Sequence, residues 1–213
     1  MKLLGPRIAI RTMTPEDLDA MIQWRPFADP LYRPFDFPRQ SRADHRRWFE
    51  WRRRDPSRRL YTIVNEDREV IGSLTLRDID RRRSARLGIT IGADFVSQGY
   101  GTEAMYLFLE HYFGEMGFAK MVLDVAATNL RAVRSYQSIG FREAGHHFRP
   151  AGHPSYRILQ TESRYRHLRP FFQRTGATTK VLFYDMSMTR EEWRAISQNL
   201  DSPQAGAPER EDP

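Results

Sequence analysis

The chain has 213 residues, 40% hydrophobic and 29% charged, a globular composition that excludes wholesale disorder and favours one domain. Its net charge is +7, and 31 of its 34 basic residues are arginine, because Lys2, Lys120 and Lys180 are the only lysines. Arginine suits bidentate contact with phosphate and carboxylate, so an anion is the first ligand to look for. The complete absence of cysteine removes disulfides, thiolate zinc sites and any thiol nucleophile.

Arg7 to Thr12 alternates polar and apolar residues, the pattern of a short strand. Thr14-Pro15-Glu16-Asp17 opens a helix: Thr14 as cap, Pro15 in the first turn, two acids at the positive end of the dipole. A loop rich in proline and aromatics follows from Pro26 to Pro38. A helix from Ser41 to Arg54 comes next, ending on three arginines. Leu60–Asn65, Val70–Arg77 and Ala85–Ile91 read as three strands with short charged turns between them, hence an antiparallel meander. Phe95–Thr102 is a loop with two glycines that runs into a helix from Thr102 to Met116, with Gly117 as its stop. Met121–Ala126 is a strand, Asn129–Ile139 a helix closed by Gly140, and Phe141–Phe148 another strand. Thr179–Met188 is the last strand and Arg190–Gln198 a final helix. Residues 200–213, rich in Pro, Gly, Ala and charge, are expected to be a disordered tail carrying −3, which leaves +10 on residues 1–199.

Pro150 to Ala177 is too long for a plain hairpin connection and should have structure or function of its own. It mixes Arg157, Arg164, Arg166, Arg169 and Arg174 with Tyr156, Tyr165, Phe171 and Phe172. Such a mixture suits phosphate contact and base stacking, or an interface through exposed aromatics. The six histidines include no H-E-x-x-H pair, and no metal site is expected. Met1–Ile10 lacks the apolar run of a signal peptide, and 18 apolar residues never run together. A cytoplasmic address without membrane contact is therefore expected.

The most informative segment is Val96-Ser97-Gln98-Gly99-Tyr100-Gly101-Thr102-Glu103-Ala104. A strand leads in and a helix leads out. Two glycines let the backbone present N–H groups without a Cβ in the way, and the helix N-terminus adds its own unpaired donors, a seat for a phosphate or pyrophosphate. The pattern is neither a Walker loop nor G-x-G-x-x-G, since position 104 is alanine. Residues 89–104, I-T-I-G-A-D-F-V-S-Q-G-Y-G-T-E-A, resemble motif A of the GNAT superfamily of acetyl-CoA-dependent N-acetyltransferases. Asn129 to Phe141 resembles that family's N-x-x-A-x-x-x-Y-x-x-x-G-F motif. Met186 to Trp193 resembles the end of the branch that acetylates ribosomal-protein N-termini.

The resemblance implies an α/β (α+β) fold: one GNAT-like domain over residues 1–199, with a mixed, mostly antiparallel twisted sheet flanked by helices and an insertion at about 150–177. It implies direct transfer of acetyl from acetyl-CoA to a primary amine, on a protein N-terminus or a small molecule. The backbone of Ile89, Thr90 and Ile91 would pair with the pantetheine arm. Gln98, Gly99, Tyr100, Gly101 and Thr102 would form the pyrophosphate loop. Asn129 would bond the pantetheine amide beside Ala132, and Tyr136 would protonate the leaving sulfur. Two positions depart from the family. Val96 stands where the loop usually begins with Gln or Arg, and Arg86 stands where many members carry a catalytic Glu. Asp124, His146, His147 and Glu103 are the remaining base candidates, each with a structural alternative. A ribosome- or RNA-associated protein that keeps the fold is the competing reading, and monomer and homodimer both stay open.

Overall fold

In a computed structural model, which describes residues 1–201, the chain runs β1 (Lys2–Leu4), β2 (Ile8–Thr12), α1 (Pro15–Met21), α2 (Arg42–Arg54), β3 (Arg59–Asn65), β4 (Val70–Asp80), β5 (Ser84–Ile91), α3 (Tyr100–Phe113) and β6 (Lys120–Ala126). There follow α4 (Leu130–Ile139), β7 (Arg142–Pro150), α5 (Ser155–Thr161), a 3-10 segment (Ser163–Phe171), β8 (Phe172–Thr175), β9 (Thr178–Thr189) and α6 (Arg190–Asp201). Of the tail expected over 200–213, residues 202–213 lie outside the described residues. No helix among the described residues is long and apolar enough to cross a membrane.

The strands form one sheet in the order β1-β2-β3-β4-β5-β6-β9-β7, with β8 also paired to β9. Every pairing is antiparallel except β5 with β6. That parallel pair is short: its register runs from Ser84↔Lys120 to Leu87↔Leu123 and stops. Beyond it, Gly88–Ile91 stays paired with β4 and Asp124–Ala126 stays paired with β9. The sheet therefore splays open between the ends of β5 and β6, and the polar backbone edges there have no partner strand.

One face of the sheet packs against α3 and α6. Phe108, Leu109 and Tyr112 of α3 are fully buried with Ile10, Ile63, Leu74, Leu76 and Met121 beneath them, each large side chain contributing roughly 1.5–3 kcal/mol by leaving water. Trp193 ties α6 to α3 by donating Nε1–H to Glu110 at 3.0 Å. On the opposite face, α1 and α2 bury Met13, Leu18, Met21 and Phe49 against Leu60. The N-terminus of α1 is fixed by Asp17, whose buried carboxylate accepts from the Thr14 N–H at 2.8 Å, from the Arg11 guanidinium at 2.5 and 2.6 Å, and from the Thr62 hydroxyl at 2.8 Å. Burial pushes the Asp17 carboxyl up, but the Arg11, Thr14 and Thr62 hydrogen bonds pull it below its ordinary value. Asp17→Ala strands Arg11 and frees the helix start, so urea unfolding should show a loss of about 3 kcal/mol.

The structure adjusts several boundaries. β1 is too short for alternation to reveal; it becomes a strand by pairing with β2, Leu3 opposite Ile10. α3 begins two residues before the expected Thr102, because Gly99 adopts a left-handed φ of 84° and serves as N-cap. It ends at Phe113 rather than Met116, because Gly114 already leaves helical geometry. The 150–177 insertion is structured, and its two tyrosines are buried: Tyr156 and Tyr165 join Leu159, Leu168, Leu31 and Val181 in a second small core. Tyr165 also donates its hydroxyl to Asp29 at 2.5 Å. The expectation of tyrosines exposed for stacking bases or for an interface is corrected here, since both rings face inward to join the insertion to the 26–38 loop.

Candidate functional site

The splay between β5 and β6 opens into a cavity of about 450 Å³. Ile89, Thr90 and Ile91 form one wall, Gly99, Gly101 and Thr102 one end, and Asn129, Ala132, Ser135 and Tyr136 of α4 the other wall. Phe27, Phe35, Arg131 and Phe183 also line it, and Asp124 reaches it from β6. The chain thus brings together nine of the eleven residues expected to bind the coenzyme or donate the proton: Ile89, Thr90, Ile91, Gly99, Gly101, Thr102, Asn129, Ala132 and Tyr136. Gln98 and Tyr100 do not line the cavity. The Gln98 side chain donates to the Asp94 carbonyl at 2.8 Å, and the Tyr100 ring lies under the Arg7 guanidinium, 4.9 Å from its centroid.

The loop before α3 is built to expose backbone donors. Ser97 and Gly99 take left-handed φ values of 62° and 84°, which costs little at glycine and more at serine. A glycine N-cap has no side chain to satisfy the first N–H groups of α3, and Gly101 and Thr102 face the cavity. This donor set fits a phosphate group. Arg7, just before β2, braces the loop: it donates Nη1 to the Gln98 carbonyl at 3.0 Å and Nε to Glu103 at 2.8 Å. Glu103 also accepts the Arg7 backbone N–H at 2.8 Å, so this base candidate is committed to holding the loop.

Across the cavity, Asn129 caps α4 by accepting from the Ala132 N–H at 3.3 Å, which leaves its amide N–H groups to donate elsewhere. The Tyr136 ring packs edge-on to Phe141 at 6.0 Å. Burial raises the Tyr136 phenol far above its ordinary value, and the charge of Asp124 adds to the rise. The hydroxyl is therefore held protonated.

On the sheet face toward α1 and α2, a compact charge network occupies the place where a general base would be sought. Asp124, its side chain 5% exposed, accepts from Arg77 at 2.6 Å, Arg149 at 2.7 Å and Arg86 at 3.1 Å. Burial alone would raise its carboxyl, but the Arg149 hydrogen bond and the charges of Arg77, Arg149 and Arg86 bring it below the ordinary value. Arg86 also reaches Asp185 at 3.5 Å and Asp78 at 3.4 Å. His147 bonds Asp185 through Nδ1 at 2.8 Å and accepts from Arg149 Nε at Nε2, so both ring nitrogens are engaged. His146 points away, its side chain 62% exposed near Glu143. Sequence reasoning named Arg86 and Asp124 separately; it missed their partners Arg77 and Arg149, because strand register is what joins them.

One cavity thus collects a parallel pair that separates after four rungs, bare helix N–H groups and a protonated phenol, and comparison with known proteins gives its class, an acyl-CoA N-acyltransferase. Residues 7–142 match the acetyltransferase (GNAT) domain family, and the chain belongs to that family. It is an N-acetyltransferase that uses acetyl-CoA. Among its relatives, an uncharacterized N-acetyltransferase of SPbeta prophage origin in Bacillus subtilis, YokL, is 23% identical over 145 residues, 66% of this chain and 79% of that protein. The spermidine N(1)-acetyltransferase of Vibrio cholerae is 29% identical over 93 residues, 43% of this chain and 54% of that one. The fold is shared with the structure of spermidine N-acetyltransferase from Vibrio cholerae in complex with CoA and spermine, at a TM-score of 0.66, 19% identity and coverage of 89% of this chain and 99% of that one. A GNAT-family acetyltransferase from Bacillus anthracis aligns with a TM-score of 0.64 at 15% identity, over 90% of this chain and all of that one.

Proposed function

We propose that the protein acetylates the primary amine of a small molecule, with the cavity at the β5/β6 splay as the reaction site. The observation that carries this reading is that a protonated Tyr136 and the uncapped Gly99–Thr102 backbone line one and the same cavity. Acetyl-CoA, when bound, supplies the thioester. In this reading Gly99, Gly101 and Thr102 hold the pyrophosphate through backbone N–H groups. The free edge of Ile89–Ile91 pairs with the pantetheine arm as an added strand would. Asn129 donates to a pantetheine carbonyl beside the small Ala132, and the Gln98 and Tyr100 side chains act through the loop rather than by contact.

The amine nitrogen forms its bond to the acyl carbon while the carbon–sulfur bond breaks. The Tyr136 hydroxyl gives its proton to the sulfur, the amine nitrogen loses one to solvent, and solvent returns one to Tyr136. The products are an amide and the free thiol of coenzyme A. No carboxylate of the site suits the role of general base, because Asp124 is held ionised by three arginines and a low-pKa group is a weak base. The amine arrives neutral or loses its proton through water.

Two facts favour a small acceptor over a polypeptide N-terminus. The insertion and the 26–38 loop are joined by Tyr165 and Asp29, and Phe27 and Phe35 of that loop line the cavity. The segment Met186–Trp193, which resembles the ribosomal-protein branch, serves as packing: Met186, Met188 and Trp193 are buried in the main core. Thiol release from acetyl-CoA should be measured over a panel of small amines, amino acids and peptides. The reading requires that a small amine release thiol and form one amide per thiol. It fails if coenzyme binds and no amine reacts, or if only peptides react.

A further inference from the structure

We propose that Arg131 is the specificity residue of this site and that it reads an acid group on the acceptor, so that the acceptor is a primary amine which also carries a carboxylate. This rests on the acetyl-transfer reading above and narrows its acceptor. Arg131 and Asp124 are the only charged residues in the cavity lining among the described residues, and they differ in one respect. Asp124 is saturated by Arg77, Arg86 and Arg149. Arg131 makes no hydrogen bond or ion pair among the described residues. Its guanidinium instead sits over the Tyr32 ring at 4.3 Å and near Phe27 at 5.6 Å. Ring faces hold a guanidinium in place but supply no hydrogen-bond acceptor, so its five N–H donors remain for a ligand. A planar carboxylate matches that donor fork in two parallel bonds.

The same contrast speaks against a second ammonium on the acceptor. Among the described residues, the only carboxylate in the cavity lining already has three cationic partners, so there a diamine entering the cavity would meet an arginine without an ion pair and no free acid. Position fits an acceptor group as well. Arg131 and Tyr136 stand five positions apart on α4, an axial rise of about 7.5 Å, and both line the cavity, so one small acceptor can meet both. Arg131 also stands on a different helix from the Gly99–Thr102 cradle. It is one turn N-terminal of Ser135, whose hydroxyl lies 3.4 Å from that of Thr102 in the cradle, but its own guanidinium packs on Tyr32 of the 26–38 loop.

The test uses matched amines: α-, β- and γ-amino acids, the corresponding amides with the carboxylate neutralised, and diamines of equal length. The wild-type protein should prefer the acid over its amide in kcat/KM by roughly 10- to 100-fold, the range of a lost charge-assisted hydrogen bond. Arg131→Gln should collapse that ratio to near one, with Arg131→Lys in between. Thermal melting and coenzyme titration verify that each variant is folded, and Tyr32→Leu, which removes the ring brace, should shrink the ratio without touching Arg131. A second arm compares acetyl-CoA with acetyl-3′-dephospho-CoA. The ratio between these two should be the same in wild type and Arg131→Gln. If Arg131→Gln removes discrimination between the coenzymes instead, the arginine seats a coenzyme phosphate and the proposal is overturned. If amides or diamines are preferred in the wild type, the acceptor class is wrong while acetyl transfer stands. If coenzyme binds and no amine reacts, acetyl transfer to a small amine fails, and this inference with it.

Discussion

Tyr136→Phe should lower kcat by about 10²- to 10³-fold, the usual contribution of a positioned proton donor, while the KM for acetyl-CoA changes little. The expectation rests on three properties of one hydroxyl. Its residue lines the cavity, burial holds it protonated, and the charge of Asp124 pushes its pKa the same way. A thiolate whose conjugate acid has a pKa of about 8.5 departs more readily when a proton is delivered to it. Because the pKa is raised, the donor stays loaded through the whole working range. The wild-type rate should therefore rise with pH as the acceptor amine loses its proton, and show no alkaline fall from Tyr136 below about pH 10. The variant keeps the aromatic ring and its edge-on contact with Phe141, so its melting temperature should be close to that of the wild type. Steady-state kinetics with the best acceptor, at several pH values, provide the measurement. Turnover at the wild-type rate in the folded variant would mean that solvent, not Tyr136, protonates the sulfur.

Local chemistry made much of this fold readable. Pro15 with Glu16 and Asp17, the paired glycines at 99 and 101, and Gly140 after an apolar helix each carry their reason in their own residue types. Gly140 has φ 112°, a conformation that L side chains rarely adopt, so a side chain is strained where α4 ends, and a Cβ there would also push against Ile196. Both walls of the cavity were legible for the same reason, since each belongs to one continuous motif. What was hidden depends on register and tertiary contact. Arg77 and Arg86 face each other across β4 and β5, and β6 brings Asp124 beside them, but no spacing along the chain announces this. Two like charges directly opposite are unfavourable unless something sits between them; here that something comes from another strand. The 150–177 insertion hid its order because α5 and β8 are short pieces whose apolar faces meet Leu31 and Tyr32 from more than 100 residues earlier. Arg131, without an ion pair among the described residues, was hidden too, because its aromatic brace comes from that same distant loop.

Asp124→Asn should cost about 3–5 kcal/mol of folding stability, the range for breaking a buried ion pair from one side, seen as a fall in melting temperature of roughly 6–20 °C. The side chain is 5% exposed and is shared by Arg77, Arg86 and Arg149. A neutral amide still accepts hydrogen bonds but leaves three guanidinium groups close together, with Asp78 and Asp185 offering only longer contacts to Arg77 and Arg86. The loss should therefore be relieved in part by Arg86→Gln in the same chain, since the strain is excess positive charge rather than a missing shape. The pH dependence has a definite sign. The folded Asp124 carboxyl lies below its ordinary value, so its contribution is complete above the unfolded pKa near 3.9 and disappears as pH falls through the lower folded value. Wild-type protein should lose stability below about pH 4 more steeply than Asp124→Asn, and the two unfolding curves should converge in acid. The same experiment separates structure from catalysis. If Asp124→Asn melts at the wild-type temperature and loses turnover instead, the carboxylate is a base in the reaction; a large melting shift, relieved by Arg86→Gln, assigns it to holding β4, β5, β6 and β7 together around the cavity.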